Sequence, residues 1–326
     1  MTINIGIIGA ARVAVYAMIA PARDIPRVNV AAIAARDPVR AQAYAAEHGI
    51  AKVHASYDAL IADPSIDLVY VATPPAFHAA IAINALEAGK HVLVEKPFSM
   101  NAVEAQRVLD AAERAGRRAF EAFHYRHHAL WHRIVDVCRG GALGRILSLD
   151  AAFHAPIAKS AREFRWNASI GGGALMDLGC YPLQWVRVAT GEEPVVERAT
   201  MRMIDGVDAA TEIVLRFPGG ATANVACSMD SGAFAAFLNI IAERGSIRVL
   251  NPLAPQMGYK FDIDVDGKTR SETIEGLSTF AAQLQAVAAT LLDGAPFPLA
   301  ANDPVKSMAV IDAVRAAVAS VPAANP

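Results

Sequence analysis

The sequence is poor in cysteine, with only Cys138, Cys180 and Cys227, scattered and odd in number. They support neither a disulfide framework nor a zinc site, so a reducing cytoplasm is the expected setting. Charge of one sign is equally scarce. A formal net charge of -2, with no basic run longer than two residues, excludes the electrostatic footprint of a nucleic-acid binder or a polybasic membrane anchor. No unbroken apolar run reaches membrane-spanning length. The richest stretch, LVYVATPPAFHAAIAINAL, is interrupted by Thr73, Pro74, Pro75, His78 and Asn84, which suits a strand, a turn and a helix in water. The N-terminus MTINIGIIGAAR has no basic n-region and no small-residue cleavage site after an apolar core, so no secretory leader is expected. Internal repeats are missing too, and the alanine richness is a composition bias that carries no function.

What is present sorts into two patterns. A chain of 326 residues exceeds one typical core, so two domains are expected, with a single barrel as the alternative. Over residues 1–123, short β-branched runs alternate with Ala-rich helical patterns, the signature of parallel βαβ units in a doubly wound α/β Rossmann domain. Strands are predicted at Asn4 to Ile8, Val28 to Ala34, Leu68 to Ala72, His91 to Val94 and Arg118 to Ala122. Helices are predicted at Val39 to His48, Phe77 to Ala88 and Ala102 to Ala115, the last preceded by Ser99 and Asn101 as capping residues. Over residues 124–326 a helix through Ala129 to Arg139 gives way to strand-like runs. These are Ile146 to Phe153, Arg198 to Met203, Thr211 to Phe217, Thr222 to Cys227, Phe237 to Ala242, Ser246 to Leu250 and Lys260 to Val265. They suit an α+β domain with a large, mostly antiparallel open-faced sheet that binds substrate and serves oligomerisation. Turn signals at Pro218-Gly219-Gly220 and Asp266-Gly267 fit, and helices at Thr279 to Leu292 and Pro304 to Val318 close the chain.

IGIIGAARVA runs from strand into helix, and the phosphate-binding fingerprint can be laid on it with Gly9 first, Ala11 second and Ala14 third. The third position allows alanine, but the second normally needs glycine so that backbone can approach the pyrophosphate. The Ala11 methyl must tilt away, or the phosphates must sit further out; a purely structural glycine turn is the competing reading. The second strand ends IAARDP, where a dinucleotide site reads the adenosine ribose. Arg36 stands first, Asp37 next and Arg40 one turn on, and Arg12 adds a third positive charge. Guanidinium groups favour a 2′-phosphate, hence NADP over NAD. Alternatively the arginines are solvated helix-start charges with Asp37 as a cap, and Asp37 keeps NAD open.

HVLVEKPFSM places Glu95, Lys96 and Pro97 just past the carboxyl end of a strand, where α/β sheets build active sites, in a chain with only a handful of lysines. Further on, GGGALMDLGCYPLQW carries Asp177 and Tyr181 four residues apart, a spacing that stacks them on one helix face. The plain alternative is an aspartate that caps or pairs and a tyrosine that packs with its hydroxyl satisfied. A GxxGxAR-like loop, TPPAFH, EKP and GGGALMDLGCY in that order resemble the Gfo/Idh/MocA oxidoreductase family, and the resemblance covers nearly the whole chain.

That resemblance implies a Rossmann domain joined to an open-sheet substrate domain. It implies Lys96 as the catalytic lysine near the nicotinamide, and the TPPAFH turn, with Thr73, Pro74 and His78, lying against the cofactor beside Glu95. Many members carry histidine where this chain has Tyr181, and aspartate where it has Trp185. Tyrosine there, with AARDP and EAFHYRHH, is similar to the branch of dimeric dihydrodiol dehydrogenase, glucose-fructose oxidoreductase and NADP-dependent aldose dehydrogenases.

Oxidising a carbinol by hydride transfer requires its hydroxyl proton to leave, so a base must sit within hydrogen-bond reach. A free phenol, with a pKa of about 10, is a poor base near neutrality. An ammonium about 4 Å away at an effective dielectric of about 20 contributes up to roughly 4 kcal/mol, about three pKa units before screening. Lys96 can therefore bring Tyr181 toward working pH, with Asp177 as support.

In FHYRHH, His124 and His128 stand at helical i, i+4 spacing, but no HExxH pattern or convergent carboxylate accompanies them, so no metal is expected. A linker crossing the active site is preferred, with His124, Tyr125 or Arg126 contacting cofactor or substrate; His127 and His128 receive no role. Phe153, His154, Arg165 and Trp166 are the sugar- or diol-facing candidates, against sheet packing and surface charge.

The expectation is an NADP-dependent oxidoreductase moving hydride between nicotinamide and a sugar or cyclic polyol, an aldose at C1 or a trans-dihydrodiol, in a cytoplasmic homodimer or higher homo-oligomer. Three alternatives stay open: an NAD-dependent inositol or sugar-ring dehydrogenase, a keto-sugar reductase, and a non-catalytic cofactor-binding regulator.

Overall fold

The computed structural model describes residues 1–160 and 163–319. The chain divides into two compact units, Met1–His127 with Leu277–Val305, and His128–Gly276 with the stretch that runs on from Lys306.

The first unit is built on six parallel strands, β1 (Ile3–Ile8), β2 (Val28–Ala34), β3 (Lys52–His54), β4 (Leu68–Val71), β5 (His91–Val94) and β6 (Ala119–Glu121), in the order β3-β2-β1-β4-β5-β6. Ile5, Ile7 and Ile8 of β1 and all of β4 are buried, because helices cover both faces of the sheet and a central strand then has no wet side. A helical run follows β1: α1 (Arg12–Ala14), a π-helical turn (Val15–Ile19) and α2 (Ala20–Asp24). Then come α3 (Pro38–His48), α4 (Tyr57–Ile61), α5 (His78–Glu87) and α6 (Ala102–Ala115). The expected cap of α6 forms, with Asn101 accepting from Glu104 N at 2.9 Å while Glu104 Oε2 accepts from Met100 N at 3.0 Å. Strand order reverses between β1 and β4, which opens a crevice at their carboxyl ends.

In the second unit α7 (Ala129–Arg139) leads to β7 (Ile146–His154), α8 (Cys180–Thr190) and then β8 (Val195–Ile204), β9 (Val207–Arg216), β10 (Thr222–Ser228), β11 (Ala235–Ala242), β12 (Gly245–Leu250), β13 (Lys260–Val265) and β14 (Lys268–Ser271). Their order is β14-β13-β12-β11-β7-β10-β9-β8, and only the β7–β10 pair is parallel. β8 begins three residues earlier and ends one later than the hydrophobic pattern suggests, and β9 begins four residues earlier, toward their shared turn. Asp205 and Gly206 both take positive φ (48° and 78°), the two-residue turn that matches strand twist, so pairing continues to the tip. Every residue of α8 from Cys180 to Ala189 is buried, which makes it the central helix of this unit.

Two helices close the chain, α9 (Thr279–Asp293) and α10 (Asp303–Ala319). The sequence pattern assigned everything after residue 123 to the second domain. Instead Leu284, Val287 and Ala288 of α9 share one core with Ile3, Ile5 and Ile7 of β1 and Ile33 of β2. Burying a Leu or Val side chain contributes about 1.5–3 kcal/mol, which explains why α9 packs with the Rossmann unit. Among the described residues no helix is long and apolar enough to cross a membrane. The three cysteines are free and buried.

Candidate active site

At the carboxyl end of β1 the chain turns through Gly9, at φ 106°. A Cβ there would lie 2.5 Å from the Ala72 carbonyl oxygen, so only glycine fits. Ala11 precedes the helical run at φ -97° and ψ 143°, an extended conformation open to any residue. Arg12, Arg36 and Arg40 are exposed at this end of the sheet, and Arg40 donates to the Ala10 carbonyl at 2.7 Å. Asp37 Oδ1 caps α3, accepting from Val39 N at 2.9 Å and Arg40 N at 3.2 Å. Thr73 and Pro74 follow β4 at the crevice, and the Thr73 hydroxyl is buried with no hydrogen-bond partner among the described residues. A tight glycine turn, an orphaned hydroxyl and a rim of guanidinium groups fit a phosphorylated dinucleotide.

His78 lies between the turns that follow β4 and β5. It is buried, with Nδ1 2.9 Å from the Pro97 carbonyl oxygen and Nε2 2.7 Å from that of Thr73, so it fastens the TPPAFH turn to the EKP turn. Burial first, and the Lys96 charge as well, push its pKa down to about 4; the neutral ring donates to one of the two carbonyls. His124 is also kept neutral, its pKa pushed down to about 3 by burial and then by Lys96. Its Nδ1 meets Thr279 Oγ1 at 2.8 Å and its ring stacks on Phe280 at 3.9 Å. Lys96 therefore follows β5 in a setting where its charge works against both neighbouring imidazoles. Glu95 Oε1 accepts from the Tyr70 hydroxyl at 2.5 Å, and Oε2 accepts from Lys96 N at 3.3 Å. Glu121 escaped the sequence reading: buried on β6, it accepts from Phe98 N at 3.1 Å and so holds the chain just past the EKP turn.

In the second unit the glycine triplet ends at Gly173, φ 123°, where a Cβ would overlap Asp208 Oδ1. Asp208, from β9, is a second residue that sequence reasoning missed. Its Oδ2 accepts from Leu175 N at 2.7 Å, at the start of a π-helical turn, Leu175–Gly179, that leads into α8. The interval between Asp177 and Tyr181 thus includes π-helical backbone, where the spacing argument for a plain α-helix does not hold; such turns are frequent at functional sites. Tyr181 is 5% exposed and meets Phe153 edge-on at 5.6 Å. Asp177, 8% exposed, accepts from Arg165 Nε at 2.6 Å, and Arg165 also donates to Glu163 at 2.9 Å. The expected support that Asp177 gives is therefore first of all an ion pair with Arg165, within one unit. Trp166 Nε1 donates to the Ile157 carbonyl at 2.9 Å.

The i, i+4 histidines fall in different units. His128 accepts from Leu130 N at 3.0 Å and caps α7. His127 packs beside Phe297, and Arg126 NH1 lies 3.8 Å from Asp303. Among the described residues no group of three or more His, Cys, Asp or Glu side chains converges as a metal site.

A six-stranded parallel sheet with a glycine turn at its switch point, followed by a large open sheet, defines a class: dinucleotide-dependent oxidoreductases with a separate substrate domain. Residues 3–123 match the profile described as "Oxidoreductase family, NAD-binding Rossmann fold", and residues 131–248 match the GFO/IDH/MocA C-terminal domain. The D-xylose 1-dehydrogenase (NADP(+)) 2 of Haloferax volcanii is 33% identical, over 95% of this chain and 95% of its own length. Trans-1,2-dihydrobenzene-1,2-diol dehydrogenase of Sus scrofa is 33% identical over 71% of this chain and 69% of its own. A solved 3-ketoreductase from Actinomadura kijaniata, in complex with NADP and TDP-benzene, superposes with a TM-score of 0.89 at 27% identity, covering 97% of this chain and 98% of that one. The chain belongs to the Gfo/Idh/MocA family and is an NAD(P)-dependent oxidoreductase.

Proposed function

We propose that the protein is an NADP-linked dehydrogenase acting on the CH–OH group of a sugar or cyclic polyol, an aldose at its anomeric carbon or a trans-dihydrodiol. The observation that carries this reading is a buried Tyr181, set between Phe153 and the π-helical turn, in a chain that also places Lys96 directly after β5. Both residue types are supported by the relatives. The ketoreductase has been solved as a tyrosine-to-phenylalanine and as a lysine-to-alanine variant, with almost the same separation along its chain as Lys96 and Tyr181 have here.

Gly9, Ala11, Arg12, Thr73, Pro74 and Glu95 would hold the dinucleotide, with Arg36 and Arg40 reading its 2′-phosphate. When bound, the dinucleotide accepts or returns the hydride. In oxidation Tyr181 takes the proton from the substrate hydroxyl at its phenolic oxygen, and in reduction it gives that proton back. Lys96 supplies the positive charge that stabilises the phenolate. Asp177, fixed by Arg165, accepts a hydrogen bond from a substrate hydroxyl. Phe153 presents a ring to the C–H face of the substrate, and Arg165, Trp166, His124 and Arg126 line the approach. His78 holds the two turns that flank Lys96 and acts through it.

A keto-sugar reductase is the second reading, favoured by the likeness to the 3-ketoreductase, and differs in direction and in the carbon that reacts. Ile241 and Leu250 are exposed on the sheet, which supports a homodimer formed through that face. Aldoses, inositols and trans-dihydrodiols supplied with NADP⁺, and 3-keto-sugars with NADPH, scored by absorbance of the nicotinamide, test the reading. Turnover in one class is expected, and inactivity across all of them would return the regulator.

A further inference from the structure

Within the dinucleotide reading of the first unit, we propose that Arg40 and Tyr44 are positioning residues that set the phosphate loop from outside, and that this is what permits alanine at position 11. Two successive carbonyls of the loop are taken by one face of α3. Arg40 NH2 donates to Ala10 O at 2.7 Å, and one turn later the Tyr44 hydroxyl donates to Ala11 O at 2.9 Å. The tethers are themselves anchored. Asp37 fixes the start of α3, and His48, a further turn on, backs the Tyr44 ring edge-on at 4.4 Å. Burial, followed by the nearby Glu47 carboxylate, pushes the Tyr44 phenol up to about 12, so it stays a donor over the whole working range.

In a trans peptide the carbonyl and the next N–H point opposite ways, so holding Ala11 O against Tyr44 turns the Arg12 N–H away from α3. That N–H opens the helical run Arg12–Asp24, where unpaired donors and the helix dipole favour an anion. A glycine at the second fingerprint position ordinarily gives the backbone freedom to find this arrangement. Here the freedom is unnecessary, because α3 imposes the peptide orientation and Ala11 rests in an ordinary extended conformation. One arm of Arg40 is spent on the loop, which leaves the exposed Arg36 as the main reader of a 2′-phosphate.

Fluorescence titration of the full chain with NADPH and with NADH separates these roles. Tyr44→Phe keeps the ring against His48 and removes one hydrogen bond, so affinity for both dinucleotides is expected to fall by the same factor, about two- to tenfold, with the preference between them kept. The loss is expected to be larger in an Ala11→Gly background, where the loop depends more on its tether. Unchanged binding in Tyr44→Phe, a loss confined to NADPH, or a loss no larger beside Gly at position 11 overturns the proposal. Arg36→Ala is the control for the underlying reading: it is expected to weaken NADPH and spare NADH. If the preference for NADPH survives Arg36→Ala, Arg36 is not its reader, and equal affinity of the unaltered chain for NADPH and NADH would sink the NADP assignment; in either case the tether stands on the Tyr44→Phe result.

Discussion

The two units each place a glycine turn before a helix with a π-helical turn, at Val15–Ile19 in one and Leu175–Gly179 in the other, and hold the two turns in opposite ways. In the first unit, side-chain donors from α3 grip the carbonyls of Ala10 and Ala11, and Arg12, Arg36 and Arg40 keep their charge exposed. In the second, the Asp208 carboxylate grips the Leu175 N–H, and the charges nearby, Asp177 with Arg165, are paired and largely buried. A turn built to receive a polyanion gives one arm of Arg40 to its own loop and keeps Arg12 and Arg36 exposed. A turn built to aim a phenol pairs its charges inside the fold, where fixed orientation matters more than net charge.

The sharpest way to break this contrast is at the aimed phenol. Tyr181→Phe keeps the ring against Phe153, so folding should be unchanged while kcat falls by about 10² to 10⁴, the contribution of a positioned acid/base group. Near wild-type turnover would remove Tyr181 from the proton path. Gly173→Ala tests the turn itself. Its Cβ meets Asp208 in a backbone region closed to alanine, so thermal denaturation should show a loss of roughly 2–4 kcal/mol.

Acid should act on the other unit through two buried imidazoles. The His78 and His124 rings take a proton in the unfolded chain near the ordinary histidine value, but only at about 4 and about 3 in the fold. The unfolded state therefore binds more protons in that window. The stability is fully present above the ordinary value and is lost as pH falls toward the folded ones, on the order of 2 kcal/mol for each ring at about pH 5. Melting temperature against pH should show this slope, and His124→Asn should flatten it; an unaltered slope would place the protons elsewhere.

What could be read from the sequence was local. β1, its glycine, the arginines after β2, Lys96 after β5 and the capping Asn101 all announce themselves within a few neighbouring residues. In the second unit β7 to β13 were legible as strand-like runs separated by turn signals, and β14 was not. What escaped was every contact that needs the fold to bring distant positions together: Tyr44 with Ala11, Asp208 with Leu175, Glu121 with Phe98, and the return of α9 to the first core. Nothing along the chain shows that Asp177 accepts from Arg165, whose expected place facing substrate says nothing of that ion pair. The Asp205-Gly206 turn was within reach and was passed over, so β8 and β9 came out short.

The smallest expected effect asks whether the second turn is held by charge or by an oxygen in the right place. Burial, more than any other influence, raises the pKa of Asp208, and the Leu175 N–H works against it; the ionised carboxylate is thus costly where it stands. An amide carries no such cost and still offers an acceptor to Leu175. Asp208→Asn should therefore stay within about 0.5 kcal/mol of wild type, while Asp208→Ala, which leaves the N–H without its partner, should lose about 1–3 kcal/mol. Because that N–H opens the segment carrying Tyr181, kcat should fall in the alanine variant and recover in the asparagine one. Equal losses in both would mean that the negative charge holds the helix, and the contrast between the two turns would then be one of sign alone.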